Sequence, residues 1–207
     1  MAFSARGEVI QSFVVSMGSV FTAVCGVALL LALLVTGWAV AVFNRFVRSR
    51  NQVDASWGQI DVQLRRRYDL IPNLVATVQG YASHERGTLD AVVAARGLAV
   101  GAAQGAPMRD RAQAEGELTH MLGRLFALAE NYPDLKANHN FARLQSELAA
   151  TEDKIAYARQ FFNSATESYN NAVQTMPASI VATVAGFGTR DFFHAAESER
   201  GPVQVRF

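Results

Sequence analysis

Apolar residues in this chain form one unbroken run and then a series of stripes. From Val20 to Phe43 the sequence reads VFTAVCGVALLLALLVTGWAVAVF, with no charge and only two threonines as polar residues. A helix over that run rises about 36 Å, enough to cross a hydrocarbon core of about 30 Å with some tilt. Val20, Leu29, Leu30, Leu31, Leu33 and Leu34 supply its lipid-facing bulk, and Trp38 and Phe43 suit an aromatic anchor at the interface. Ala39-Val40-Ala41 resembles a cleavage site. However, the run exceeds the roughly 7–15 apolar residues of a signal peptide, and Glu8 weakens the segment before it. The expectation is an uncleaved membrane anchor. Cys25 lies inside it and reads as a small apolar filler. Arg6 stands alone before the span, whereas Arg45, Arg48 and Arg50 follow it closely. By the positive-inside rule the N-terminus is expected outside and the rest of the chain in the cytoplasm.

After the span the period changes. Val53, Trp57, Ile60, Leu64, Ile71, Leu74, Val78, Tyr81 and Val92 recur at spacings of mostly three and four. That is the apolar stripe of a long helix from Asn44 to Arg96. Pro72 interrupts it, so the helix either kinks there or restarts with Asp69 as its cap. Arg67 and Glu85 fall on the stripe itself: both either snorkel to its edge or join a buried inter-helix ion pair. Gly97–Pro107 reads as a loop, without the Lys-Ser/Thr that a phosphate loop needs. A second helix is expected from Met108 to Glu130, with Leu118, Met121, Leu122, Leu125 and Leu128 inward, ending at Asn131-Tyr132-Pro133.

The third helix is the most regular. Phe141, Leu148, Ile155, Phe162, Tyr169 and Met176 form one line of large residues; Leu144, Thr151, Ala158, Ala165 and Ala172 form the line beside it, small after Leu144. This alternation lets a neighbouring helix approach closely. The same pattern serves a bundle core or a seam for another subunit. Pro177 then opens a short helix, with Thr175 as a candidate cap, that ends near Gly186. A tail follows, with Phe192-Phe193 and the alternating Pro202–Phe207, in which Val205 and Phe207 are apolar. Its aromatics are expected to dock on the parent bundle, on a neighbouring copy or on the membrane surface. The fold class is therefore all-α: an N-terminal transmembrane helix, then an antiparallel long-helix bundle of three to four helices, then a short extended tail. The expected segments are 1–19, the span 20–43, a cytoplasmic bundle 44–186 and the tail 187–207.

Composition narrows the function. The 207 residues are 50% hydrophobic and 18% charged with a net charge of +1, which argues against disorder and against a nucleic-acid partner. Lys136 and Lys154 are the only lysines; arginine makes up the rest of the 19 basic residues, a bias of genome composition. A single cysteine excludes an internal disulfide. Glu117 and His120 make one Glu-x-x-His pair, half of a di-iron site, but no second pair exists. His84-Glu85 lacks the second histidine of a zincin helix, and no Gly-x-Ser-x-Gly elbow occurs. Glu147, Glu152 and Asp153 lie where a solvated helix face is expected. No catalytic, cofactor-binding or metal-binding residue is expected, and no enzymatic activity.

Two blocks carry a resemblance. Arg50, Asn51, Arg67, Asp69, Leu70, Ile71, Pro72, Asn73, Leu74, His84 and Glu85 mark the first, within Asn44–Arg96. Glu130, Asn131, Tyr132, Pro133, Asp134, Leu135, Asn138, Glu152, Ala156, Tyr157 and Arg159 mark the second, within Glu130–Pro177. Together with Phe192-Phe193 and the final Val205-Arg206-Phe207 they resemble the LemA family. The chain departs from it in a longer segment before the span and in the glycine-rich stretch 97–105. The resemblance implies a bacterial inner-membrane protein with one N-terminal span and a soluble helical bundle; it supplies no reaction. Family genes often lie near one for a membrane metalloprotease. Candidate partners are thus the lipid bilayer, further copies of the chain, and a membrane metalloprotease or envelope-stress protein.

The expected role is a membrane-anchored, self-assembling scaffold, with a membrane-tethered adaptor as the alternative. If the small positions of the third helix are packed, Ala158→Leu or Ala165→Leu overfills the contact and lowers stability by roughly 1–3 kcal/mol. Thermal unfolding of both variants checks this.

Overall fold

The computed structural model describes residues 2–193, with their side chains from residue 21 onward, and every regular element among them is a helix. In chain order these are α1 (Ala2–Gln79), α2 (Arg86–Ala103), α3 (Met108–Ala129), α4 (Pro133–Lys136), α5 (His139–Gln174) and α6 (Ala178–Ala185). Two compact units divide the chain, one of residues 1–48 and 172–188, the other of 49–171 with the segment after 188. The second unit is an all-α bundle of α2, α3, α4, the part of α1 from Ser49 on and most of α5. Its core joins Ile60, Leu64, Ile71 and Leu74 of α1 to Val92, Leu118, Leu125, Leu148 and Phe162. Each such side chain contributes about 1.5–3 kcal/mol on leaving water.

Helix α1 runs through Pro72 without a break for 78 residues. Proline lacks the N–H that would bond the carbonyl four residues back, which here belongs to Tyr68. Arg96 of α2 fills that place: its Nε–H donates to the Tyr68 carbonyl at 2.7 Å. The break falls instead at Gly80–Glu85, where turns bond Tyr81 and Ala82 to the Val78 carbonyl at 3.0 and 2.9 Å. Sequence periodicity carried the stripe across this turn because Val78 and Val92 are both buried. Tyr81, which its spacing places on the stripe, is exposed instead.

The expected loop at 97–107 shrinks to Gln104–Pro107, with Gly105 at φ 115°. Helix α2 continues through its glycines because Ala95 and Ala99, one turn apart, are buried on the packed face, while Gly97 and Gly101 are exposed. Helices α2 and α3 pack against each other. Leu135 of α4 is fully buried, and Asn138 caps α5, its Oδ1 accepting from the N–H groups of Asn140 at 2.9 Å and Phe141 at 3.1 Å.

On α5 the packed line follows the expected alternation from Phe141 to Phe162 and then steps by four to Thr166, Tyr169 and Val173. Ala165 is half-buried and Met176 is 68% exposed. From Ile155 to Thr166 is one eleven-residue repeat, closer to the helical period than a heptad, so a straight α5 keeps its contact by changing register.

After α5 the Met176–Pro177 peptide is cis, Pro177 sits at the N-cap of α6, and the Thr175 carbonyl accepts the Ser179 N–H at 2.9 Å. Gly186 closes α6 at φ 73°, its N–H and that of Phe187 reaching back to Thr183 and Ala182 carbonyls. A Cβ at Gly186 would meet nothing within 4 Å, so Gly186→Ala tests the backbone alone. A loss of about 1 kcal/mol in thermal unfolding is expected from the left-handed conformation.

Candidate functional site

Among the described residues the largest fully buried side chain is that of Arg67, 1% exposed in the middle of the α1 stripe. Its Nη2 donates to Oε2 of Glu115 on α3, and its Nη1 to Oε1 of Glu152 on α5. Nη1 also donates to Thr119 Oγ1 at 3.0 Å. The next residue, Tyr68, donates its hydroxyl to the other oxygen of Glu115. One arginine thus ties α1 to α3 and α5, and Tyr68 carries the tie toward α2 through Arg96. Of the two placements open for Arg67, the buried ion pair is the one adopted. Glu85 takes neither, accepting from the Tyr132 hydroxyl at 3.1 Å.

Glu152 was expected on a solvated face; its side chain is 36% exposed and its carboxylate turns in to Arg67. Glu115 was not singled out. It lies three residues before Leu118 and seven before Leu122, on the inner stripe of α3, so a second charge on an apolar stripe was the signal that marked it.

Burial works against the charge of Arg67, but the facing carboxylates of Glu152 and Glu115 outweigh it and hold its pKa above the ordinary value. Burial also pushes the Tyr68 phenol above its ordinary 10.0, with the hydrogen bond to Glu115 adding to the shift. These groups occupy one another. Among the described residues no group of three His, Cys, Asp or Glu side chains is placed to hold a metal ion. Chemically the cluster holds helices together.

A second polar arrangement holds the segment after α6. Asn170 Nδ2 donates to the Arg190 carbonyl at 2.9 Å while its Oδ1 accepts the Arg190 N–H at 2.8 Å. Asn163 does the same to Phe193, at 3.1 and 3.0 Å. Seven helical residues rise about 10.5 Å, and three residues of extended chain span about 10 Å, so the two clamps hold the segment nearly straight. The Phe193 ring is 1% exposed, 5.4 Å from Trp57, which in turn lies 5.4 Å from Phe162. Arg159 covers Phe193 at 5.1 Å and Arg111 covers Trp57 at 4.4 Å. Of the three docking places open for the aromatic tail, Phe193 uses the parent bundle. Phe192 is half-buried, and Val205 and Phe207 lie outside the described residues.

The remaining seam residues, Ile60, Leu64, Phe141, Leu148, Ile155, Ala158, Phe162 and Tyr169, are buried within this same chain, with Trp57 half-buried. An open groove of about 700 Å³ between α1 and α5 includes Gly58, Val62, Gln63, Lys154 and Tyr157. Val62 and Tyr157 are 61% and 73% exposed there. Near its N-terminus α1 is long and apolar enough to cross a membrane. Leu29, Leu30, Leu31, Leu33 and Leu34 are all 55–66% exposed, with Trp38 and Phe43 at 41% and 42%. Val20 lies outside the described side chains. Thr36, inside the run, returns its hydroxyl to the Ala32 carbonyl at 2.8 Å, which removes a donor that lipid could not satisfy.

The sequence matches the LemA family over residues 56–207, the stretch that holds the Arg67 cluster and both asparagine clamps. The chain belongs to the LemA family. The magnetosome protein MamQ of Magnetospirillum gryphiswaldense is 25% identical over 184 residues, covering 78% of this chain and 68% of that protein. MamQ 2 of Paramagnetospirillum magneticum matches to the same extent. Protein LemA of Metamycoplasma hominis is 24% identical over 164 residues, covering 78% and 73%. With its exposed apolar run, this LemA-family chain is a membrane-associated helical protein.

The cluster makes two predictions. Arg67→Met leaves two carboxylates without their cation and costs about 3–5 kcal/mol, whereas adding Glu115→Leu and Glu152→Leu restores most of the loss; chemical denaturation of the single and the triple variant beside the unaltered chain checks this. Because the Tyr68 pKa is raised on folding, its contribution is complete below pH 10.0 and is lost as pH rises from there through the folded value. Stability should therefore fall above pH 10, and Tyr68→Phe should flatten that slope.

Proposed function

We propose that this LemA-family protein is a membrane-anchored scaffold that assembles with copies of itself at the bacterial inner membrane and organises or shapes it. The observation that carries the reading is the apolar run of α1, long enough to cross a membrane and exposed along its large side chains, including Leu29, Leu30, Leu31, Leu33 and Leu34. Arg45, Arg48 and Arg50 beyond the run support a cytoplasmic bundle. Confinement to a membrane raises the effective concentration of copies, so a modest surface suffices for association; the α1–α5 groove with Val62 and Tyr157 is a candidate for that surface. The relatives called MamQ are named for a cell structure, the magnetosome, and not for a reaction.

The test is the mass of the full chain in lipid nanodiscs beside a chain starting at Arg45. A homogeneous assembly that forms only with the anchor is the expected result. A single copy in both preparations overturns the scaffold and favours a tethered adaptor, whose partner (a membrane metalloprotease or envelope-stress protein) would then be sought by co-purification.

A further inference from the structure

Helix α6 is built inside out. Its eight residues, ASIVATVA, carry no charge. Its fully buried residue is the small Ala182, 1% exposed, with Ala178 half-buried one turn before it. Two of its three large apolar side chains point the other way, Ile180 at 56% exposed and Val184 at 85%, while Val181 is half-buried; Met176, just before the helix, is 68% exposed. Positions 180 and 184 share one line at a spacing of four. In a helix facing water the large residues would be turned inward and the small polar ones outward.

The place of α6 explains the inversion. Phe187, the residue after its glycine cap, packs its ring 5.4 Å from Phe43 and 5.4 Å from Phe46 of α1. Phe43 closes the apolar run, and Arg45 and Arg48 follow it. The end of α6 is therefore fixed at the level where the span gives way to charge, the depth at which a helix with one apolar face lies in the boundary between headgroups and acyl chains. Within the helix, Thr183 returns its hydroxyl to the Ser179 carbonyl at 2.9 Å, so this polar side chain makes little demand for water.

We propose that α6 is a second membrane contact: an interfacial helix that lays Ile180 and Val184 into the lipid surface beside the anchor. The proposal rests on the membrane-anchor reading and deepens it, since two contacts fix the rotation of α1 about its own axis where a single span leaves it free.

The test places a nitroxide label at single cysteines in the full chain, with Cys25→Ser removing the native thiol. Nanodiscs of phosphatidylcholine and phosphatidylglycerol supply the bilayer. Ile180→Cys and Val184→Cys report on α6, Leu31→Cys on the span and Leu98→Cys, 66% exposed on α2, on the bundle surface away from the α1–α5 groove. Collision with molecular oxygen, which concentrates in lipid, is compared with collision with a water-soluble nickel chelate. Labels at 180 and 184 are expected to favour oxygen as the label at 31 does, while the label at 98 favours nickel. If 31 favours oxygen and both α6 labels favour nickel, the α6 contact is overturned and the anchor stands. If 31 itself favours nickel, the anchor reading fails and the α6 contact with it. Ile180→Trp, quenched by lipids brominated along the acyl chain, repeats the measurement without a label, and absence of quenching overturns the contact independently.

Discussion

A guanidinium taken out of water must be met by anions from whatever surrounds it, and in this bundle that requirement organises the helices. Arg67 is 1% exposed, and its partners come from helices remote in sequence: Glu115 on α3 and Glu152 on α5. Apolar packing alone tolerates a helix sliding or turning against its neighbour by a fraction of a turn. A forked donor with a carboxylate on each prong does not, because its hydrogen bonds weaken steeply with misalignment. The cluster is thus a weak contributor to net stability and a strong constraint on register. Tyr68 and Arg96 extend the constraint to the carbonyl that Pro72 leaves without a helical partner. The charge in the core and the proline in the helix, five residues apart on α1, are each answered by side chains from other helices.

The same economy of backbone satisfaction governs the segment after α6. A chain in neither helix nor sheet has N–H and C=O groups that must find partners. Asn163 and Asn170 supply them two at a time, with a spacing along α5 that matches the reach of the extended chain. Phe193 then fills the place beside Trp57. What looks from composition like a loose aromatic tail is, up to Phe193, part of the bundle.

For function, the described residues offer a long exposed apolar run, a charge-locked bundle and a short uncharged helix whose following residue, Phe187, packs on Phe43 and Phe46 at the end of that run. The run and the short helix belong to one compact unit and the charge cluster to the other.

The all-α class, the apolar run and most of the core were legible in the chain because periodicity reports which face of a helix leaves water, whatever it packs against. Family membership was legible too, from two long blocks of matching residues. The boundary at Gly80–Glu85 was not, since a stripe can pass through a turn when both flanking helices bury the same side. Arg67 could be seen to sit on the stripe, but its partners could not. An ion pair between helices has no sequence spacing, and Glu115 and Glu152 become neighbours only after the chain has folded back on itself. The pairing of Asn163 and Asn170 with the backbone at Phe193 and Arg190 was hidden for the same reason. Local sequence decides which residues must be buried or bonded; only tertiary structure decides what meets them, because partners far apart in the chain are chosen by geometry that no local pattern contains.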